Sequence, residues 1–388
     1  MALLRILHNY AGTILTACTL FPLVAAAFTL PFAVRQYRRY GGIPVIRVVI
    51  VYSFVLYCLC AFFLTVLPLP SREAVAAAAP KPIGWVPFGE LIGKMKAIGL
   101  SLAHPATLKN GALWRRLLHS FELFQVLANV ALLVPLGFYC RSYFCLSWRR
   151  TLLAGFLVSL FFELTQLTGL FFYYPHAYRY AETGDLISNT LGALIGHGLA
   201  ALAAPLLPSR ASIDELSYRK GRQVTRIRRL VSAVLDLLAG AALTALLGRF
   251  LPLRALAAVL LAALALVPFA LRESTPGQAA VKLRTVRKDG GRCGFWRLLW
   301  RDLLFACELF VPPASLGLLI APCTAAITAR TLPAVPVLLG MGLCALAFAG
   351  VLALMFITLR RRGELPHSCF SRTTVISFHQ LPKEEPLP

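Results

Sequence analysis

Apolar residues run through this chain in long blocks rather than in the two- or three-to-four-residue alternation of a half-buried strand or a surface helix. Windows of about 20 apolar residues, the length needed to cross a bilayer core, fall near 11–33, 44–67, 121–140, 151–172, 186–206, 230–250, 253–271, 303–325 and 332–358. The pattern predicts an all-α, polytopic transmembrane bundle of about nine spans. The last two windows contain Pro312, Pro313, Pro322 and Pro336, so a kinked or partly re-entrant helix is expected there. The first run has only Arg5 before it and a basic cluster after it, which predicts a retained span rather than a cleaved signal peptide.

Composition agrees with this reading: 58% of the residues are hydrophobic, 14% are charged, and the mean hydropathy is +0.72. The net charge of +23 does not point to nucleic acid, because the basic residues sit in short clusters beside apolar blocks. Arg35, Arg38 and Arg39 follow the first span, and Arg141, Arg149 and Arg150 follow the third. Seven Lys or Arg lie between Arg210 and Arg229, eight between Arg272 and Arg301, and Arg360 to Arg362 follow the last span. By the positive-inside rule these faces are cytoplasmic, giving an N-terminus outside and a C-terminus inside. Loop 68–120 carries seven basic residues on the expected outer side. Its PIGWVPFGELIGKMKAIGLSL stretch mixes aromatics and Lys like an interfacial segment. Most of the ten cysteines lie in apolar runs and no CxxC pair occurs, so they are expected to be small buried hydrophobes.

The chemistry is in the polar positions inside the apolar blocks. An ionisable group near the bilayer centre costs about 2.5 to 3.5 kcal/mol on insertion scales, so it turns inward, to a site or a structural partner. Glu122, Gln125 and Asn129 share a helix face, as do Glu163 and Gln166, and as do Asp185, Asn189, Gly192 and Gly196. Three helices with one polar stripe each predict a polar pocket of Glu163, Gln166, Asp185, Asn189 and Asn129, open toward the outer leaflet. Arg179, in the connecting loop, is placed to reach Asp185 or Glu163, as part of the pocket or as a salt bridge holding the loop. Gly192 and Gly196 form a small-xxx-small pair and are expected to serve helix packing. His176 and His197 lack metal-ligand spacing, and His197 reads as a packing histidine. No metal site, cofactor or nucleophile with a base partner is predicted. No GxxxxGK loop is present, which disfavours ATP-driven transport.

Asn129, Pro135, Gly137, the ELTQ of Glu163 to Gln166, Arg179 and DLISNTLGALIG from Asp185 to Gly196 stand in the order of the VanZ-like family, which residues 45–206 resemble. Pro87 and Phe88 extend that resemblance. The YYPHAYRYAETG segment before Asp185 departs from it, being longer than the family's usual turn. Farther on, Arg229 and Asp236 lie seven apart on one helix face. Asp236 is about 10 Å deeper than Arg229 at 1.5 Å per residue. With Thr275 to Gly277, the Asp289–Gly290 turn, Arg301 and LPHSCFSRTTVI, they resemble an RDD-family domain. That stretch has His367 where the family carries a second aspartate, and it holds an extra span. The expected organisation is a VanZ-like domain over 1–207, a cytoplasmic basic linker over 208–229, an RDD-like domain over 230–380 and a polar tail over 381–388.

The VanZ resemblance implies a bacterial cell-envelope protein, with teicoplanin resistance as one family-level property. Three readings follow. The first is a non-enzymatic envelope protein that binds membrane lipids, an envelope precursor or a small amphiphile. The second is a transporter of ions or an amphiphile through Glu163 and Asp236. The third is an enzyme acting on a lipid-linked precursor through Glu163 or Asp185.

Overall fold

The computed structural model describes residues 2–81, 83–329, 335–362 and 365–378; the tail expected over 381–388 lies outside them. The protein is a polytopic helical bundle. Seven of the described helices are long and apolar enough to cross a membrane: Ala11–Tyr40, Val45–Val66, Phe121–Ser142, Trp148–Leu167, Thr183–Leu206, Arg226–Leu247 and Gly340–Arg361. Helices also stand at the two remaining predicted stretches, as Leu253–Ala270 and the 35-residue Phe295–Ala329.

The chain forms two compact units. One takes the residues up to Thr29 together with Pro44–Leu216, and the other takes Leu30–Ile43 and the residues from Ser217 onward. The division after Leu216 falls inside the polar stretch 208–229, where Arg210–Gly221 is helical and the next helix begins at Arg226. Residues 30–43 belong with the second unit for a packing reason. Ala33 and Tyr37 are buried in one apolar cluster with Val281 and Leu283, and Gly42 abuts the Ser217 carbonyl.

In the first unit the apolar core joins Ala61, Leu133, Leu136, Cys140, Phe162 and Ala193. The Phe121–Ser142 and Thr183–Ala203 helices approach backbone to backbone. A methyl group at Gly192 would sit 1.9 Å from the Val130 carbonyl oxygen, one at Gly196 1.9 Å from that of Val134, and one at Gly137 1.8 Å from that of Ala193. Hydrocarbon supplies little drive for helix association, so close backbone approach through small residues does the work. Loop 68–120 folds into the short helices Arg72–Ala77, Gly89–Ala97, Pro105–Leu108 and Gly111–Leu118. It also pairs Ile83–Gly84 in parallel with Ala181–Glu182. The exposed Trp85 and Val86 suit the interfacial position read from the sequence.

In the second unit the strand Leu283–Arg287 precedes the Asp289–Gly290 turn, where Gly290 takes φ 82°. Its partner is not the segment after the turn but the distant strand Thr373–Ser377, in antiparallel register from Leu283↔Ser377 to Arg287↔Thr373.

Gly192→Ala forces the two helices apart and should destabilise the first unit by about 1–3 kcal/mol. Gly198→Ala, whose new methyl group would meet nothing within 4 Å, should instead leave stability unchanged or raise it by up to about 1 kcal/mol through helix propensity. Equal unfolding midpoints for the two variants in mixed detergent micelles would refute this packing account.

Candidate functional site

In the first unit the three polar stripes meet. A cavity of about 450 Å³ is lined by Asn129 from the Phe121 helix, Glu163 and Gln166 from the Trp148 helix, and Asp185 and Asn189 from the Thr183 helix, with Arg179 from the loop. All six residues expected at the pocket are brought together. Gln125 joins them, whereas Glu122 turns to Lys94, with Nζ to Oε1 at 3.7 Å.

The interior polar groups are held by short local contacts. Asn189 Nδ2 donates to Ser159 Oγ at 3.0 Å, and that hydroxyl donates to the Asp185 carbonyl at 3.3 Å. The Glu182 backbone N–H donates to Glu163 Oε2 at 3.3 Å. Asn129 and Asp185 line the same cavity from different helices. Asn189 is 3% exposed and its Oδ1 has no protein partner.

Arg179 does not pair with Asp185 or Glu163; among the described residues neither carboxylate has an ion pair. Its guanidinium instead donates to the carbonyls of Thr65 at 2.6 Å and Leu67 at 2.7 Å. Gln166 Nε2 also donates to Thr65 O at 3.2 Å, Tyr178 Oη to Val66 O at 3.1 Å, and Tyr174 Oη to Pro70 O at 2.7 Å. The last carbonyls of a helix have no intrahelical donors. The YYPHAYRYAETG segment thus supplies Tyr174, Tyr178 and Arg179 as side-chain caps for the end of the Val45–Val66 helix and the turn after it. Nearby, Glu182 Oε1 accepts the Gly89 N–H at 2.9 Å. Burial pushes the Glu182 carboxyl above the usual carboxylate range despite that bond.

Gly192 and Gly196 lie at the helix contact rather than in the cavity. His197 Nδ1 meets Thr151 Oγ1 at 3.0 Å, both residues being buried, which satisfies the histidine within the packing.

In the second unit Arg229, Asp236 and Arg301 line a cavity of about 360 Å³, with Arg226, Asp302 and His367. Asp236 accepts from Thr275 Oγ1 at 2.6 Å and from the Gly277 N–H at 2.7 Å. A methyl at Gly277 would stand 2.1 Å from the Ser232 carbonyl oxygen, so glycine there is a requirement of close approach. Arg301 lies 4% exposed; its Nε donates to Asp302 Oδ1 at 2.7 Å, and its guanidinium also reaches Thr285 Oγ1. His367 Nδ1 lies 2.8 Å from Glu308 Oε2.

Residues 54–204 match the VanZ/LLP1 family model and residues 224–370 match that of the RDD family. The chain joins a VanZ-like domain to an RDD-family domain. It is a multi-pass membrane protein, and both domains point to the cell envelope. No curated protein and no solved structure matches it.

Sequence reading missed several residues of both domains. In the VanZ-like domain, Ser159 precedes Glu163 by four and shares its face, a signal that was present but ordinary for a serine in an apolar helix. In the RDD domain, Arg228 is fully buried. It donates to the carbonyls of Val281, Lys282 and Gly221 at 2.7–3.0 Å and to Ser377 Oγ at 2.9 Å. It stands in a basic run, so nothing in the sequence separates it from an interfacial anchor. Asp302, 2% exposed with Oδ2 lacking a protein partner, was hidden beside Arg301.

Arg179→Met leaves the Leu67 carbonyl without its donor and should destabilise the VanZ-like domain by about 1.5–3 kcal/mol, the worth of a charged hydrogen bond. Arg179→Lys, which has no fork, should recover part of it. Thermal unfolding in detergent checks both, and an unchanged midpoint for Arg179→Met would remove the capping role.

Proposed function

We propose that the VanZ-like domain is a non-enzymatic envelope module that holds the polar headgroup of an amphiphile in the Glu163–Asp185–Asn189 cavity. On this reading it contributes to envelope homeostasis, including low-level protection against glycopeptides such as teicoplanin. The observation that carries the reading is the cavity itself. Carboxylates and amides from three spans line it together with Ile14, Leu64, Phe121, Phe124 and Leu132. A mixed lining of this kind suits a molecule with a polar head and an apolar body. The charge pattern supports an N-terminus outside and a C-terminus in the cytoplasm, which opens the cavity to the outer leaflet.

A susceptible host expressing the wild type should tolerate more teicoplanin than the same host expressing Glu163→Gln at equal membrane level. If the wild type protects no better than an empty vector, the resistance role falls for this protein.

A second reading is transport through the RDD domain. Asp236, Thr275, Asp302 and Phe305 stand in the wall shared by the 360 Å³ polar cavity and an apolar cavity of about 800 Å³. Carboxylates between a polar and an apolar space are where an ion path would run. In liposomes a cation gradient should then drive proton flux through the wild type and not through Asp236→Asn; a wild type with background flux sinks this reading.

A further inference from the structure

The end of the first span carries three arginines on one helix face. Arg35, Arg38 and Arg39 stand at i, i+3 and i+4 near the C-terminus of the Ala11–Tyr40 span, a spacing that sets like charges side by side, where they repel. All three are exposed, no acidic residue occurs before Glu73, and among the described residues no carboxylate pairs with any of them. An arginine in a protein, unlike a carboxylate, has no neutral form to fall back on. Packing in the second unit fixes which way the three point. On the opposite face Phe32, Ala33, Gln36, Tyr37 and Tyr40 are buried; Ala33 and Tyr37 share a cluster with Val281 and Leu283, and Leu235 packs against it. Arg228 lies 5.5 Å from the centre of the Tyr37 ring.

The outward face is no bare helix surface. With Leu235 of the Arg226–Leu247 helix it forms an open groove of about 620 Å³, lined by Leu30, Pro31, Val34, Arg35, Arg38 and Arg39. The acidic residue of that second helix, Asp236, is committed to Thr275 and the Gly277 N–H and is not in the lining. The groove has the depth profile of a lipid. At 1.5 Å per residue the 30-residue span is about 45 Å long, against about 30 Å of hydrocarbon. Counted from Ala11, the hydrocarbon ends near Pro31, with Leu30, Pro31 and Val34 at its edge and the arginines about 6–12 Å farther on, at the level of lipid phosphates. Guanidinium forks pair bidentately with phosphate oxygens, whereas a zwitterionic choline head would add a fourth cation to the three. We infer that this groove holds an anionic phospholipid, its phosphate among Arg35, Arg38 and Arg39 and its first acyl carbons against Leu30, Pro31, Val34 and Leu235. The charge pattern places that lipid in the cytoplasmic leaflet.

The test is native mass spectrometry of the full chain with added phosphatidylglycerol or phosphatidylcholine of identical acyl chains. Phosphatidylglycerol should bind the wild type about tenfold more tightly, the scale of one charged hydrogen bond. Arg35→Gln combined with Arg38→Gln should bring the two lipids within about threefold of each other. Val34→Trp, which fills the groove and keeps every charge, should do the same. Arg360→Gln combined with Arg361→Gln, an exposed pair after the last span, should leave the preference in place. Equal binding of the two lipids by the wild type overturns the inference, and so does an equal loss in both arginine pairs, which would mark charge attraction without a site. If the Arg35 and Arg38 double variant fails to accumulate, Val34→Trp decides, and an unchanged preference there sinks the groove. Displacement of the lipid by an equal concentration of glycerophosphate overturns the lipid source in favour of a free phosphate compound.

Discussion

The approach of the Phe121–Ser142 and Thr183–Ala203 helices at Gly137, Gly192 and Gly196 is the constraint on which the first unit depends. With side chains there the axes would separate, and the polar stripes one and two turns nearer the other end would no longer face a common space. Glycine fixes the distance, and the helical repeat fixes the rotation. Asn129 on one helix then lines the same cavity as Asp185 on the other, and Asn189 reaches Ser159 on the Trp148–Leu167 helix. The packing motif and the pocket are two stretches of one interface.

A second rule is shared by both units. Backbone carbonyls that no helix or strand satisfies are costly in an apolar setting, and in each unit charged or phenolic side chains discharge that cost. Arg179, with Tyr174 and Tyr178, does so at the end of the Val45–Val66 helix. Arg228 does so for Val281, Lys282 and Gly221, tying the start of its helix to the edge of the Leu283–Arg287 strand. Asp236 does the converse, accepting the Thr275 hydroxyl and the Gly277 N–H at the start of the short Pro276–Ala280 helix. The polar residues that look most functional in sequence are in part structural. Among the described residues, the buried side-chain atoms left without a hydrogen-bond partner include Glu122 Oε2, His176 Nε2 and Asn189 Oδ1 in one unit and Arg284 Nε and Asp302 Oδ2 in the other.

The sequence by itself determined the membrane class, the helical architecture and which polar residues share a helix face. Those follow from properties that are local: apolar length against bilayer thickness, and the 3.6-residue repeat that puts Glu163 with Gln166 and Asp185 with Asn189 on single faces. It also carried both family resemblances, because these rest on ordered motifs. Tertiary structure alone decided the partners. Arg179 chose carbonyls over carboxylates because the end of the Val45–Val66 helix lies beside it, more than a hundred residues away in sequence. The Leu283–Arg287 strand chose Thr373–Ser377 over its neighbour, and Arg228 rather than Arg229 became the buried arginine of its helix. A basic residue in a run of basic residues carries no mark of which one points inward. That choice is made by the long-range packing that surrounds it.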